Sequence, residues 1–468
     1  MLVINENRYQ YVYFVFSGLV TSAIIILAYI SIRTTVHDKF RDDIKIIQSS
    51  LTLLKPATSW HYNNSWKHIG NSSRGHEIYS AYFDMRTDVI DTSESIDYTN
   101  VPIGSLRIFA ILPTMFKDTI QCIVRFDDFT LKYIKAAEVK SMHESHEKPF
   151  AAFTIMCPLY VSRNISTVQL PQAVALSYAT NRLSSLSPTF IEISYARNMT
   201  LMFQQTKPTI AACVGPLQFH YNEALRVAEF VEMYRILGVT HFYFYVMDAT
   251  DEVKQLLAHY RDIGLADVLS WNIHKELDDV HYGGIVAQYN DCVFRAMVVD
   301  NFRYAAVIDF DEIIVPLKHN SLMHYLRQCD EGRTSGFVFR NVFFYKKDSN
   351  DTFSIPSHIK NRFLYTQTKV RRTVEIMPAY DRSKCIVNTR AIVEMGNHNV
   401  WRSAPGYSDS IVHQTVGLLF HYRDHCINCK AILVVDYTAR RFGSLLWDRV
   451  DRTCLEVFIE NGGICPMS

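Results

Sequence analysis

The sequence has no excess charge of either sign. Forty-eight Lys and Arg stand against 47 Asp and Glu, leaving a formal +1 over 468 residues, and no long Lys/Arg block appears. A basic field of the kind that holds nucleic acid is therefore excluded. There is no internal repeat and no low-complexity tract, so repeat architectures and compositionally biased chains are set aside. What remains is a globular composition, 48% hydrophobic with 17 Gly and 14 Pro, long enough for one large domain and a smaller one.

One segment also lacks charge altogether. Tyr11 to Ile32, YVYFVFSGLVTSAIIILAYISI, runs 22 residues without Asp, Glu, Lys or Arg. As a helix it would span about 30 Å, the thickness of bilayer hydrocarbon. A cleavable secretory signal has a shorter apolar core and ends in small residues. Here Tyr29, Ile30 and Ile32 stand instead, so the run predicts an uncleaved anchor in the lipid bilayer. Arg33, Lys39, Arg41 and Lys45 follow it, and by the positive-inside rule they favour a cytosolic body. Five Asn-x-Ser/Thr acceptors, at Asn63, Asn71, Asn164, Asn198 and Asn350, and all ten cysteines also follow it, and these favour an oxidising lumen. The expectation is a luminal body.

Residues 1–10 read as a cytosolic tail, 11–32 as the anchor and 33–100 as a polar stem. Residues 101–206 carry β-type runs such as SLRIFAILP and FAAFTIMCPLYV and read as a β-rich lead-in. From about 207 to 430 the pattern alternates. TIAACVGPL predicts a buried strand. Asn222 is placed to cap a helix carrying Leu225, Ala228, Tyr234 and Leu237, which Gly238 would stop. HFYFYVMD predicts a second strand. Thr250 would cap a second helix, and LADVLSWNI a third strand follows. A helix over Ile285 to Asp300 leads into YAAVIDFDEIIV, read as one fourth strand. Strands alternating with helices predict an α/β fold of Rossmann type, with a mostly parallel sheet flanked by helices. Residues 431–468 read as a carboxyl-terminal extension with cysteines.

The fourth strand carries three carboxylates in four positions, Asp309, Asp311 and Glu312, inside an apolar run. Ligands in open parallel sheets bind outside the carboxyl ends of the strands, where this triplet falls. Two carboxylates flanking one residue suit a hard divalent cation, which takes further oxygen ligands from substrate phosphates. An EF-hand loop is excluded, because Ile313 and Ile314 occupy the places of its next ligand and glycine. The other reading of the triplet is a solvated strand end.

IDFDEIIVP resembles the Asp-x-Asp motif of glycosyltransferase family 92, a GT-A-fold group of nucleotide-sugar transferases. ACVGPLQFHYNEALRVAEFVEMYRILGVTHFYFYV, GGIVAQYNDCVFRAM, GFVFRNVFFY, KCIVNTRAIVEMGNHNV and LLFHYR resemble further blocks of that family in the same order. Thr389, where Pro would be expected after Asn388, and the entry Tyr282-Gly283-Gly284 depart from the pattern. The resemblance implies a GT-A-like catalytic domain over 207–430 in a single-pass type II Golgi membrane protein. It further implies an inverting galactosyltransferase using UDP-galactose and Mn²⁺, with N-glycan fucose as one acceptor. A UDP-glucose or UDP-GlcNAc donor, or a catalytically silent glycan-binding protein, are the alternatives. Asp311 would bind the metal, with Asp309 on the ribose or a metal-bound water.

His398, in MGNHNVW, aligns with a family histidine and is a candidate third metal ligand, with His421 of LLFHYR competing. Gln288, Asp291 and Arg295 share a helical face that either borders the nucleotide or holds an ion pair. Pro216, Asn222 and Glu223 follow the first strand, where such folds read the base and ribose, and each equally suits a turn or cap. Glu394 is the candidate base, ahead of Glu375 and Asp381. Trp401 and Tyr345 suit sugar stacking or aromatic packing. His425-Cys426-x-x-Cys429 lacks the second pair that a structural zinc needs, and reads as disulfide-forming together with Cys454 and Cys465.

Overall fold

The structure, a computed structural model, describes residues 65–69, 76–90, 100–162, 168–178, 188–196, 209–274, 279–348, 355–424 and 431–467. Tyr11–Ile32, the five acceptor asparagines (Asn63, Asn71, Asn164, Asn198 and Asn350), Cys426 and Cys429 lie outside these residues. Among the described residues no helix is long and apolar enough to cross a membrane. The chain divides into two compact units. The first, Met1–Lys55, Thr92–Ile103 and Leu159–Val168, is described only at Asn100–Ile103, Leu159–Ser162 and Val168. All that follows concerns the second, Pro56–Asp91, Gly104–Pro158 and Gln169–Ser468.

Its centre is a seven-stranded sheet built from the alternating pattern. β1 (Ile210–Leu217), α1 (Ala224–Leu237), β2 (Val239–Val246), α2 (Asp251–Asp262) and β3 (Ala266–Ser270) come first, then α3 (Ile285–Phe294) and β4 (Tyr304–Ile308). β3, β2, β1 and β4 lie side by side in parallel. Beyond β4 the sheet is mixed. Of β6 (Thr334–Phe339), β8 (Lys384–Asn388) and β11 (Ser408–Ile411), β8 runs antiparallel to both β4 and β6. The parallel strands are covered on both faces, so their sequences are apolar throughout rather than alternating. Ala212, Val214, Phe242 and Phe244 enter the core that contains α1 and α2, and Ala211, Cys213, Tyr243 and Tyr245 enter the core that contains α3.

Helix ends follow backbone demands more than side-chain caps. Gly238 adopts a left-handed conformation (φ 102°) at the end of α1, as its position predicts. The cap at the other end is Glu223, with no side-chain cap bond, and not Asn222. The helix read over Ile285–Asp300 is α-helical to Phe294 and continues as a π turn over Arg295–Val299.

The sequence reading departs from the structure in three further places. YAAVIDFDEIIV is not one strand: β4 ends at Ile308, a turn covers Asp309–Asp311, and β5 (Glu312–Pro316) enters a different, five-stranded sheet. There β5 pairs antiparallel with β12 (Gly417–Arg423), which lies parallel to β7 (Asn341–Tyr345). The stem read over 33–100 ends earlier, because Glu77–Asp84 is a strand buried at every residue. It belongs to a large lead-in sheet with Ile120–Arg125, Ala173–Tyr178 and others, and Tyr79, Tyr82 and Phe109 pack into the same core as α3. Lead-in and catalytic region thus share one hydrophobic interior. Finally, the extension read over 431–468 carries α4 (Gly443–Val457), whose Leu446, Trp447, Val450 and Cys454 are buried in the core with α1. Disulfides join Cys122 to Cys157, Cys213 to Cys292 and Cys454 to Cys465.

Candidate functional site

The turn between β4 and β5 gathers charge from distant parts of the chain. β8 runs antiparallel to β4, with Cys385 opposite Val307, and this register brings Lys384 beside the turn. Its Nζ lies 2.9 Å from Asp309 Oδ2 and 3.7 Å from Glu312 Oε2. It also donates to Asn397 Oδ1 at 2.7 Å. Tyr289 of α3 donates its hydroxyl to Asp309 Oδ1 at 2.6 Å. Gly215 of β1 leaves the space for that carboxylate, since a Cβ there would collide with Asp309 Oδ1. Asp309 is thus fixed from three sides.

Asp311 is oriented differently. The register of β5 on β12 sets His421 opposite Glu312. His421 Nε2 then lies 3.1 Å from Asp311 Oδ2, and its Nδ1 3.3 Å from Glu312 Oε1. Desolvation pushes the Asp311 carboxyl up, but the His421 ring and the Lys346 ammonium outweigh it and hold it below the ordinary carboxylate range. Glu312, buried behind the turn, is pushed up to about 7, chiefly by burial, with Lys384 and His421 opposing and the neighbouring carboxylates adding. Lys384 is raised to about 12: burial lowers it, and Asp309 and Glu312 more than reverse that. Asp311 keeps 38% of its side-chain surface exposed and borders a cleft of about 270 Å³. Arg226, Phe310, Tyr365 and Tyr422 also line that cleft.

The residues expected near the nucleotide separate into two groups. Glu223 lies at the turn's side of the molecule: its Oε2 is 3.7 Å from Lys346 Nζ, and both act electrostatically on buried Tyr221 or on Asp311. Pro216 stands next to Gly215 on β1, and Asn222 is exposed just before α1. Gln288, Asp291 and Arg295 instead face inward and are fully buried. Gln288 donates to the Val214 carbonyl. Asp291 accepts from Ser80, Tyr82 and Tyr245 hydroxyls and faces Arg295 at 3.5 Å. A nucleotide face on this helix is therefore ruled out by burial, and the ion-pair reading stands with three hydroxyls added. Its neighbours are fasteners as well. Asn290 bonds both the amide and the carbonyl of Met395 on β9 (Ile392–Met395), and Cys292 is disulfide-bonded to β1.

Two other candidates are displaced. His398 turns Nδ1 to the Ser383 carbonyl oxygen at 3.2 Å, and burial lowers its pKa, helped by Lys384. The histidine against Asp311 is His421. Glu394 is buried on β9 and accepts from Lys140 Nζ at 3.1 Å and from the His143 ring at 2.6 Å. Burial would raise its pKa, but these bonds lower it, so it is a poor proton acceptor and an unsuitable base. Glu375 and Asp381 are exposed. Trp401 stacks on His143 with ring centroids 4.4 Å apart, and Tyr345 is buried on β7, so both take the packing role.

A profile of glycosyltransferase family 92 matches residues 209–446, half of the chain. The chain belongs to glycosyltransferase family 92. The beta-1,4-galactosyltransferase galt-1 of Caenorhabditis elegans is 24% identical over 248 residues, 52% of this family 92 chain and 54% of that protein. The chain thus spans about half the length of that curated relative. Among solved structures, S. aureus TarS 1-349 in complex with UDP shares 11% identity at a TM-score of 0.23, over 46% of this chain and 60% of that one. The complex of TarS with UDP-GlcNAc gives 11% and 0.23 over 53% and 67%. At such scores these likenesses carry no argument about this fold.

The donor chemistry of this family 92 turn fits a divalent cation. Asp311 Oδ2 and His421 Nε2, 3.1 Å apart, offer one oxygen and one imidazole nitrogen beside a cleft, a set that Mn²⁺ accepts. Asp309 is engaged by Lys384 and Tyr289 and fits the role of a held neighbour.

Sequence reading missed Lys384, Tyr289, Gly215 and Arg226. Gly215 carried a signal, because glycine inside a buried strand marks a close approach. Lys384 and Tyr289 carried none, since strand register alone brings them to the turn.

Proposed function

We propose that this chain is a GT-A-like inverting glycosyltransferase that moves a sugar, galactose, from a UDP-sugar to a glycan hydroxyl, with Mn²⁺ held by Asp311 and His421. The observation that carries this reading is an anionic Asp311, partly exposed, facing one imidazole at the rim of a cleft lined by Arg226. A cation bound there neutralises a diphosphate leaving group. Arg226, whose guanidinium lies over the Tyr365 ring, and Lys346, beside Glu223, supply positive charge on the same side. Lys384 and Tyr289 hold the Asp309 carboxylate still, preorganising the turn. The acceptor hydroxyl attacks from the face opposite the diphosphate, so no covalent enzyme intermediate is required. N-glycan fucose is the acceptor we favour. The enzyme is anchored in the Golgi membrane through Tyr11–Ile32 with its body in the lumen, a placement that three disulfides among the described residues support.

The purified full chain is expected to transfer galactose from UDP-galactose in the presence of Mn²⁺ and to lose that activity on chelation. Asp311→Asn should cut turnover at least about 100-fold, or about 2.7 kcal/mol of transition-state stabilisation. Unchanged turnover in a stably folded variant refutes the metal role. A panel of UDP-sugars read by product mass tests the galactose assignment. Degradation of the body by protease added to sealed vesicles would overturn the luminal placement.

A further inference from the structure

A second cluster lies on the lead-in side and shares no residue with the Asp309–Glu312 turn. Lys67–His68 pairs antiparallel with the start of Glu77–Asp84, and the register sets His68 directly opposite Glu77. His274 comes from the loop after β3. Glu77 is fully buried, and its oxygens accept no hydrogen bond from backbone, hydroxyl or amide. They face two imidazoles instead. His68 Nδ1 is 3.3 Å from Glu77 Oε1, and His274 Nδ1 touches the same oxygen. The two rings stack with centroids 4.8 Å apart, and each is about half exposed at 50% and 49%. One ligand atom from each of the three residues lies within 4.8 Å of the others.

Without a cation this arrangement is electrostatically awkward. Two neutral imidazoles leave a buried carboxylate charge uncompensated, which is costly. Two protonated ones would stack like charges on each other. A divalent metal resolves both problems: it cancels the carboxylate charge and takes neutral imidazoles as ligands. Two nitrogens and one oxygen with room for a further ligand match zinc better than the oxygen-seeking Mg²⁺ or Ca²⁺. The surroundings are prepared to hold it. Beside two of the ligands, Trp66 packs on Trp271 at 4.9 Å and Tyr79 packs on Trp271 at 4.3 Å. Trp271 in turn donates to the Gly283 carbonyl at 2.8 Å, at the entry to α3.

We propose that His68, Glu77 and His274 form a second metal site, for zinc, that clamps the lead-in hairpin to the loop after β3. That loop leaves the carboxyl end of a parallel strand, so the clamp stiffens one wall of the side where the donor binds. The site is separate from the Asp311 cation and needs no catalytic role.

The full chain, stripped with chelator and dialysed, should bind one Zn²⁺ tightly, with a rise in Tm that saturates at one equivalent. Co²⁺ in its place should give the visible absorption of a low-coordinate N/O site. His68→Ala and His274→Ala, both at half-exposed rings, should fold, lose the zinc and lose the Tm rise. Glu77→Gln should do the same where it folds. Asp311→Asn should keep the zinc, which separates failure of this site from failure of the proposed catalytic cation. Absence of stoichiometric zinc in the wild-type chain, or zinc retained unchanged in the two histidine variants, overturns the proposal.

Discussion

Two carboxylate clusters lie on either side of the connection from α3 to β4, and the fold treats them oppositely. Asp291 on α3 is fully buried and meets Ser80, Tyr82, Tyr245 and Arg295. A carboxylate offers about four lone-pair sites, so these four groups complete it. Asp311 faces one imidazole, keeps 38% of its side chain exposed and borders a cleft. The first is architecture, since nothing further can be accepted by it. The second has acceptor capacity left and a route by which a ligand can reach it. Charge inside an apolar run therefore has two explanations, and the count of internal partners separates them.

The contrast breaks hardest at Asp291. Asp291→Ala leaves Arg295 buried without its carboxylate and strands three hydroxyls, and losing one partner of a buried pair costs about 3–5 kcal/mol. Denaturant unfolding should show that loss, with residual turnover tracking the folded fraction. Normal stability with abolished turnover would show instead that Asp291 acts on substrate. Asp311→Asn should give the mirror image. Its stability should stay within about 0.5 kcal/mol of the parent, as for substitutions outside buried networks, while turnover falls as stated above. A middle case is Lys384→Gln, which frees Asp309 while the Tyr289 bond remains. Turnover is expected to drop roughly tenfold, about 1.4 kcal/mol, because Asp309 is then held from fewer sides. A drop as large as that of Asp311→Asn would move the cation onto Asp309.

The parallel half of the fold was legible because its signals are local. Buried runs such as Ile210–Leu217, the helical stripe of α1 and the stop at Gly238 are each contained in a dozen residues. The position of the Asp309–Glu312 triplet at a strand end was legible for the same reason. Its surroundings were not. The break between β4 and β5 puts two halves of one apolar run into different sheets, and hydrophobic periodicity cannot reveal a change of sheet. Lys384 and His421 reach the turn through antiparallel registers 77 and 109 residues away from Val307 and Glu312, taken as Lys384 − Val307 and His421 − Glu312. Between His398 and His421 the sequence offered only motif position, whereas strand pairing decides for the second. The Gln288–Asp291–Arg295 face was read with the correct spacing, but the lead-in strand that covers it, Glu77–Asp84, had been assigned to a stem.

The smallest effect expected is at Glu394, and it refines the same contrast. Like Asp291, Glu394 is buried and held by several donors: Lys140 Nζ, the His143 amide and the His143 ring. Burial raises its pKa, yet the His143 and Lys140 bonds outweigh that and lower it from 4.5. A carboxyl whose folded value is depressed contributes stability above its unfolded value and loses it as pH falls through the folded one. Glu394 therefore stabilises the fold at neutral pH, and its contribution disappears below about pH 4.5 as the carboxylate takes up a proton. In Glu394→Gln the slope of Tm against pH on the acid side should be shallower than in the parent. The pH profile of turnover near neutrality should keep its shape, with both limbs in place. Loss of the alkaline plateau with unchanged acid stability would return Glu394 to the role of general base, and would show that an internally paired carboxylate can still take a proton from substrate.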